Sequence, residues 1–120
     1  MSNYRELITE ELMKQFEKYP LYSQDGKGKD AICIAVFYLG NIRWYIMEGQ
    51  QEGNDFTLYG IVVGLYETEY GYNSATEMAN VTSMGCKIEQ DKDFKPCKLA
   101  DIKDEELQRF LSSLYDWKPY

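Results

Sequence analysis

The sequence predicts one α+β domain over residues 1–120. Its antiparallel sheet is built on a three-strand meander. Three helices, one N-terminal, one short and in the middle of the chain, and one C-terminal, pack on a face of this sheet. Three observations predict it. The chain has 120 residues, 44% hydrophobic and 28% charged, which suits a single core. Three short β-prone segments follow one another at hairpin distances. Apolar residues recur at helical spacing near both ends of the chain.

The N-terminal helix has sequence signals at both ends. Thr9 is suited to cap the free amides of the first turn, where Glu10 and Glu11 interact favourably with the helix dipole. Apolar residues follow at helical spacing, and Pro20 ends the pattern.

The three strand predictions cover residues 31–38, 42–48 and 56–66. Gly40 and Asn41 suit a tight turn between the first two strands, because glycine accepts a positive φ. Gly60 and Gly64 interrupt the third strand, which indicates a bend, a bulge or the close approach of another segment.

Two helices are predicted in the second half of the chain. Ser74 and Glu77 have the spacing of a capping box, which predicts a short helix through about Val81. Residues 86–90 and 94–99 form either a minor hairpin or an extended arm. The C-terminal helix follows the acidic residues 104–106, and its apolar positions lie on one side. These positions are Leu107, Phe110, Leu111, Leu114 and Tyr115.

Histidine is absent, which excludes histidine-based acid–base catalysis and most transition-metal sites. The polar loop 23–30 lacks the spacing of a phosphate-binding loop. The acidic segment 89–93 lacks the glycine and terminal glutamate of a calcium loop. We therefore expect no cofactor and no metal site, and an enzymatic function is disfavoured.

The three cysteines predict neither a disulfide framework nor a zinc site, because their number is odd and none is in a C-x-x-C pair. Cys33 is interpreted as a small buried hydrophobic residue. Cys86 and Cys97 are able to approach each other across a hairpin, but free thiols are the simpler interpretation. The start of the chain lacks the apolar core of a signal peptide, and no apolar run spans a membrane. These features predict a cytoplasmic protein without membrane contact.

A stretch without positive charge is the most informative feature. No lysine or arginine occurs between Arg43 and Lys87, in a chain of net charge −7. The acids of this stretch are Glu48, Glu52, Asp55, Glu67, Glu69 and Glu77. An acidic surface either keeps the protein in solution or binds a basic protein partner, including a protein that itself binds nucleic acid. Direct binding of nucleic acid is disfavoured, since it requires clustered lysines or arginines.

Tyrosine is the second signal, with eleven copies in the chain. Tyr70 and Tyr72 lie beside Glu67 and Glu69, and tyrosine is enriched both at interfaces and at sheet edges. Glu67 and Glu69 would share a face in a strand, which leaves a carboxylate-dependent enzyme as an alternative.

Two further alternatives remain. A small-molecule pocket would lie where Gly60 and Gly64 leave space on the sheet. Its lining residues would be Trp44, Tyr59 and Tyr66. A self-assembling protein is the other alternative, if Trp117 and Tyr120 are exposed.

Several ordered motifs resemble those of a known bacterial family. They are ELITEEL, PLYSQDGKGKDA, WYIMEG, LYGIVVGLYETEYGYNSATEM and KIEQDKDFKPCKL, in that order between Glu6 and Ile102. With these motifs the sequence resembles the family known as domain of unknown function 2958. It departs from the family at Asn73, where an aromatic residue is frequent, and in its C-terminal helix, which is an extension. The resemblance implies no particular activity, but it implies an origin in bacteria, plasmids or other mobile elements.

The leading functional hypothesis is a non-enzymatic, acidic protein-binding module. An anti-defence protein of a mobile element or phage, which inhibits a CRISPR or restriction complex, is its most concrete form. The predicted binding surface comprises Glu48, Glu52, Asp55, Glu67, Glu69, Tyr70 and Tyr72.

Overall fold

The computed structural model describes residues 2–116, which form three α-helices and nine strands. The helices are α1 (Glu10–Phe16), α2 (Ala75–Ala79) and α3 (Glu105–Tyr115). The strands are β1 (Ile32–Cys33), β2 (Ala35–Leu39), β3 (Ile42–Glu52), β4 (Asp55–Val63), β5 (Glu69–Ser74), β6 (Thr82–Ser83), β7 (Cys86–Lys87), β8 (Glu89–Gln90) and β9 (Cys97–Lys98). Short 3₁₀ turns cover Tyr4–Glu6, Gly28–Asp30 and Leu99–Asp101. The order of these elements confirms the α+β class.

Five strands form one antiparallel sheet in the order β5-β4-β3-β2-β8. Strands β2 to β5 are a meander, so the predicted three-strand meander gains β5 as a fourth strand. Leu39 lies opposite Ile42, which leaves Gly40 and Asn41 as the two turn residues. Gly40 has φ +58°, the conformation that favours glycine in this turn.

Strand β3 carries one extra residue relative to β4. Ile46 lies opposite Gly60, whereas Glu48 lies opposite the residue before Gly60, so Met47 is the extra residue of a β-bulge. A Cβ at Gly60 would lie 2.0 Å from the carbonyl oxygen of Tyr45. The close backbone approach predicted at this glycine is confirmed. Past the bulge, the alternation of side chains along β3 shifts by one position.

The helices cover both faces of the sheet rather than the single face that was predicted. Helix α1 packs on one face through Leu12 and Phe16, and α2 adds Met78 to the same core. Helix α3 packs on the opposite face, which we call the α3 face, through Leu107 and Leu111. An amphipathic pattern indicates which side of a helix is buried but not which face of a sheet receives it.

Local capping signals place the helix starts where they were predicted. The Thr9 hydroxyl accepts a hydrogen bond from the amide of Leu12, and the Ser74 hydroxyl accepts one from the amide of Glu77. Asp104 caps α3 by accepting from the first amides of that helix.

The segment after α2 is an extended arm, and the predicted alternative of a minor hairpin between residues 86–90 and 94–99 is wrong. Strand β8 pairs with β2, and β9 pairs with β1. Strand β7 instead forms a small hairpin with β6. The backbone N–H and C=O groups of β8 and β9 are therefore hydrogen-bonded to strands from earlier in the chain and not to each other.

Candidate functional site

Five tyrosines from four segments lie together on the α3 face, and we call them the tyrosine cluster: Tyr22, Tyr59, Tyr70, Tyr72 and Tyr115. The ring centroids of Tyr59 and Tyr72 are 4.7 Å apart, and those of Tyr59 and Tyr70 are 5.8 Å apart with nearly parallel planes. Tyr22 meets Tyr72 edge-on at 6.4 Å. The sheet register explains the centre of the cluster, because Tyr59 of β4 lies directly opposite Tyr72 of β5.

The tyrosine cluster borders a cleft of about 200 Å³, which we call the tyrosine cleft. Its walls include Tyr59, Tyr70 and Tyr115 on one side and the loop at Gly26 on another. Among the described lining residues, Asp25 and Glu48 are acidic and none is basic. The cleft therefore combines aromatic rings with negative charge.

Glu48 is buried, with 1% of its surface exposed, so its prediction as a surface residue is wrong. The bulge at Met47 directs Glu48 toward the α3 face, where both residues line the tyrosine cleft. The two carboxylate oxygens accept hydrogen bonds from the backbone amides of Tyr22, at 2.8 Å, and Gln24, at 2.9 Å. Glu48 thus anchors the loop that carries Tyr22, whose φ of +73° is rare for a side chain of this size.

Gln24 is the second buried polar side chain, with 2% of its surface exposed. Its amide nitrogen donates to the carbonyl oxygens of Ile32 and Met47, both at 2.8 Å, and its oxygen accepts from the Ile32 amide at 2.6 Å. A buried amide with all these bonds made fixes the loop in one position. The wall of the cleft is therefore preorganised.

The end of helix α3 closes the cleft from the other side. The hydroxyl oxygens of Tyr115 and Tyr70 are 2.7 Å apart, and the Phe110 ring lies 5.7 Å from the Tyr70 ring. The Tyr115 ring lies against Gly28, where an added Cβ would come within 3.3 Å of it. Lys29 forms an ion pair with Asp116 and joins the same two segments.

Three phenols of the cluster, those of Tyr59, Tyr70 and Tyr72, are held in the neutral form. Burial, followed by the hydrogen bond with Tyr115, raises the pKa of Tyr70 far above its usual value. Burial raises the pKa of Tyr59 too, and the charges of Glu48 and Asp25 raise it further. The hydrogen bond with Tyr22, followed by burial, raises the pKa of Tyr72 to about 12. At neutral pH these hydroxyls are uncharged donors and acceptors rather than bases.

The predicted acidic surface is not one continuous patch. Glu52 ends β3 opposite Asp55, whereas Glu69 lies opposite Val62, seven residues farther along β4 and so about 23 Å away along the strand. Asp55 has a local structural role, because its carboxylate binds the Ser74 hydroxyl and accepts a hydrogen bond from the Thr76 amide at 3.0 Å. Of the exposed members of that surface, Glu67 and Glu69 lie at the start of β5, the strand that carries Tyr70 and Tyr72.

Glu67 and Glu69 do not share a strand. Glu67 lies in the turn before β5, so the alternation that would place the two carboxylates on one face does not apply. Both side chains are exposed, and neither lies in the buried setting that carboxylate catalysis requires. The geometry does not support the carboxylate-enzyme alternative at this pair.

The predicted pocket at Trp44, Tyr59, Gly60, Gly64 and Tyr66 does not form as expected. Trp44 is buried in the core under α1 and α2, whereas Tyr59 lies on the α3 face. The backbone of the neighbouring strand occupies the space beside Gly60, and the carbonyl oxygen of Asn41 occupies that beside Gly64. Tyr66 is 96% exposed at the β4–β5 turn.

A second cleft, of about 180 Å³, lies beside β5 and is lined by part of the predicted set. Trp44 and Tyr66 are in its lining, together with Glu67 and Glu69. Within residues 2–116, no group of three or more acidic or cysteine side chains is arranged to hold a metal ion. None of the helices described is long and apolar enough to cross a membrane. Trp117 and Tyr120, on which the self-assembly alternative depends, lie outside the described residues.

Comparison with known proteins returned no matching family, no matching characterised sequence and no matching solved structure. The resemblance to the domain of unknown function 2958 family therefore stays a prediction.

The sequence did not predict that Tyr22 and Tyr115 belong to the site, nor that Glu48 anchors a loop. One signal was available, since a lone glutamate among the apolar residues of WYIMEG is unusual unless its carboxylate has partners. The positions of Tyr22 and Tyr115 depend on contacts between distant parts of the chain, for which the sequence has no local signal.

Proposed function

We propose that this chain is a non-enzymatic protein-binding module whose contact surface is the β5 edge of the sheet, with the tyrosine cluster on the α3 face and Glu67 and Glu69 at the start of β5. The partner is a protein segment of basic character. This proposal keeps the tyrosine and acidic components of the predicted surface and leaves out Glu48, Glu52 and Asp55.

The observation that carries the proposal is the exposure of the tyrosine cluster at an edge of the sheet. Tyr22 and Tyr72 are 64% and 55% exposed, although both pack against other aromatic rings. Rings held in place by neighbours lose little conformational entropy when a partner covers them, and tyrosine combines an apolar face with a hydroxyl. Strand β5, which carries Tyr70 and Tyr72, is the terminal strand of the sheet order.

Charge supports a basic partner. Asp25 and Glu48 line the tyrosine cleft, Glu67 lies in the turn before β5, and Glu69 is the first residue of that strand. Residues 44–86, which include Glu48, Glu67 and Glu69, contain no lysine or arginine. Complementary charge raises association rates and selects against acidic partners.

An anti-defence role is the most concrete form of the proposal. It rests on the resemblance stated above and on one physical argument, that an acidic surface competes for the basic groove of a nucleic-acid-binding protein. Direct binding of nucleic acid by this chain stays disfavoured on the same charge argument.

The test is an NMR titration of the ¹⁵N-labelled chain with two unstructured peptides of equal length, one rich in lysine and arginine and one rich in glutamate. We expect the basic peptide to shift the amide signals of Tyr59, Tyr70 and Tyr72, and the acidic peptide to leave them unchanged. The double substitution Tyr22→Ala/Tyr72→Ala should weaken the response. Met84→Ala, which removes a fully exposed side chain from the β6–β7 hairpin, should not. Shifts confined to other surfaces, or equal shifts with both peptides, would contradict the proposal.

A small-molecule-binding domain is the second candidate, and the tyrosine cleft is the observation that favours it. Its volume of about 200 Å³ suits a small amine or a single side chain rather than a nucleotide. A screen of small cationic and aromatic compounds by thermal shift distinguishes the two functions. Stabilisation by a compound that perturbs the loop at Gly26, with no response to the basic peptide, would favour this candidate.

A further inference from the structure

Two of the three cysteines lie side by side in the structure, although they are far apart in sequence. Cys33 of β1 and Cys97 of β9 are direct partners in the antiparallel ladder. Both are free thiols, the first buried and the second partly exposed. The third, Cys86, is exposed in the β6–β7 hairpin.

The ladder geometry brings the two side chains within reach of one bond. The amide of Leu99 donates to the carbonyl oxygen of Ala31 at 2.9 Å, which marks a hydrogen-bonded pair. Cys33 and Cys97 are two residues farther along in the same register, at the next hydrogen-bonded position. Residues opposite each other at such positions have Cα atoms about 5.5 Å apart, within the range of natural disulfides, and side chains on the same side. Their Cβ atoms are about 5.5 Å apart, wider than in an unstrained disulfide, so the bond forms with strain and is readily reduced.

We propose that Cys33 and Cys97 form a reversible disulfide when the protein meets a low-molecular-weight disulfide such as oxidised glutathione. The Cys97 thiolate attacks one sulfur of the small disulfide and releases one small thiol, which leaves a mixed disulfide on Cys97. Cys33 then attacks the Cys97 sulfur and its proton passes to the departing sulfur, which leaves as the second small thiol. Overall, two protein thiols are oxidised and one small disulfide is reduced to two thiols.

The different environments of the two thiols determine the order of these steps. Cys97 is partly exposed and accessible to the oxidant, whereas Cys33 is fully buried and accessible only to its cross-strand neighbour. Burial raises the pKa of both thiols, and the charge of Asp101 adds to the effect at Cys97. The reaction is therefore slow at neutral pH and becomes faster as the pH rises. The weak bond from the Cys33 sulfur to the carbonyl oxygen of Ala35 is lost on oxidation.

The disulfide would act on the tyrosine cleft through helix α3. The residue after β9 is Leu99, whose side chain is fully buried with Leu107 and Leu111 of α3. Gln108 of α3 also donates to the carbonyl oxygens of Leu99 and Ile102, at 2.9 and 2.7 Å. Tying β9 to β1 therefore restrains the segment that holds α3, and with it Tyr115 at the cleft.

The experiment uses the full chain with Cys86→Ser, which leaves only the two cysteines of interest. The folded protein is incubated with oxidised glutathione at a pH of about 8.5, where thiolate is available. It is then alkylated and analysed by intact mass and peptide mapping. We expect the mass to fall by that of two hydrogen atoms, with a Cys33–Cys97 cross-linked peptide and no alkylation. The midpoint of thermal unfolding should rise by about 10 °C and return on reduction, since a long loop is closed.

The control is Cys33→Ala/Cys86→Ser, which should stop at one glutathione bound to Cys97. Accumulation of that same adduct in the Cys86→Ser chain, with Cys33 still alkylatable after unfolding, would overturn the proposal. Failure of the folded chain to react, while the urea-unfolded chain forms the cross-link, would overturn it too.

Discussion

Gly60 faces the carbonyl oxygen of Tyr45 so closely that a Cβ on the glycine would lie 2.0 Å from that oxygen. The contact lies beside the bulge at Met47, where β3 bends toward β4. Gly71 is the partner of Gly60 on β5, and it has open space where a Cβ would be. The two paired glycines therefore have different roles, and the difference is measurable.

Gly60→Ala should destabilise the protein by about 3 kcal/mol, because the added methyl group meets backbone atoms that are unable to move without breaking the β3–β4 ladder. Gly71→Ala is the matched control and should change the free energy of unfolding by no more than about 0.5 kcal/mol. Any change should be a small increase, because alanine loses less conformational entropy on folding than glycine. Urea unfolding followed by circular dichroism measures both. Equal effects of the two substitutions would show that the close contact is not maintained in solution.

Glu48→Gln should lower the free energy of unfolding by about 2 kcal/mol. The glutamine NH₂ group that replaces one carboxylate oxygen is a donor, so one of the two backbone amides loses its acceptor. The loss should be local first. Hydrogen exchange at the amides of Tyr22 and Gln24 should become faster, while exchange in β2 stays slow. Glu52→Gln, at an exposed position on the same strand, is the control. Unchanged exchange at the two loop amides would contradict the anchoring role.

Asp55→Asn should remove a pH-dependent part of the stability. Burial raises the pKa of Asp55, but hydrogen bonds from Ser74, Thr76 and Phe56 outweigh it, so the net pKa lies below the ordinary 3.8. A carboxyl whose pKa is lowered by folding stabilises the protein at a pH above its pKa in the unfolded state. This stabilisation is lost as the pH falls through its pKa in the folded state. Asp55→Asn should therefore lower the free energy of unfolding by about 1 kcal/mol at pH 7. Below a pH of about 4, the difference in this free energy between the variant and wild type should shrink.

The measurement for Asp55 is urea unfolding of both proteins across the acidic range. Asp93→Asn, at an exposed position in the arm, is the control and should follow the wild-type profile. A constant difference between Asp55→Asn and wild type across that range would contradict the assigned pKa direction.

Glu67→Gln/Glu69→Gln should weaken the binding of the basic peptide about two- to tenfold at low salt and reduce the dependence of its affinity on ionic strength. The reason is that exposed charges act over about a Debye length and are screened as salt increases. Glu52→Gln/Glu77→Gln removes the same charge from exposed positions outside the proposed surface. Isothermal titration at two salt concentrations compares the pairs, and equal losses for both would indicate a general charge effect rather than a defined surface.

Features encoded within a few residues were predictable from the sequence. Thr9 and Ser74 cap helices through hydroxyls only three positions from their partners, and the turn at Gly40 depends on two residues. Strand β5 was missed as an element because its side chains are exposed or half-buried throughout, without the apolar alternation of an inner strand.

Features that depend on long-range packing were not predictable in the same way. The orientation of Glu48 reverses because of the bulge at Met47, which lies beside the close approach of β3 to Gly60 on the neighbouring strand. The tyrosine cluster joins Tyr22 and Tyr115 from opposite ends of the chain, so its composition follows from the tertiary fold. The sequence indicated a tyrosine-rich surface but not which tyrosines share it.

The bulge at Met47 also has an evolutionary consequence. The inserted residue in β3, the glycine opposite it and the carboxylate just after it depend on one another, so we expect them to be inherited together. A related sequence that has lost the residue equivalent to Met47 should be free to carry a side chain at the position of Gly60. The same sequence should place an apolar residue where Glu48 stands, and its loop before β1 should be anchored by some other group.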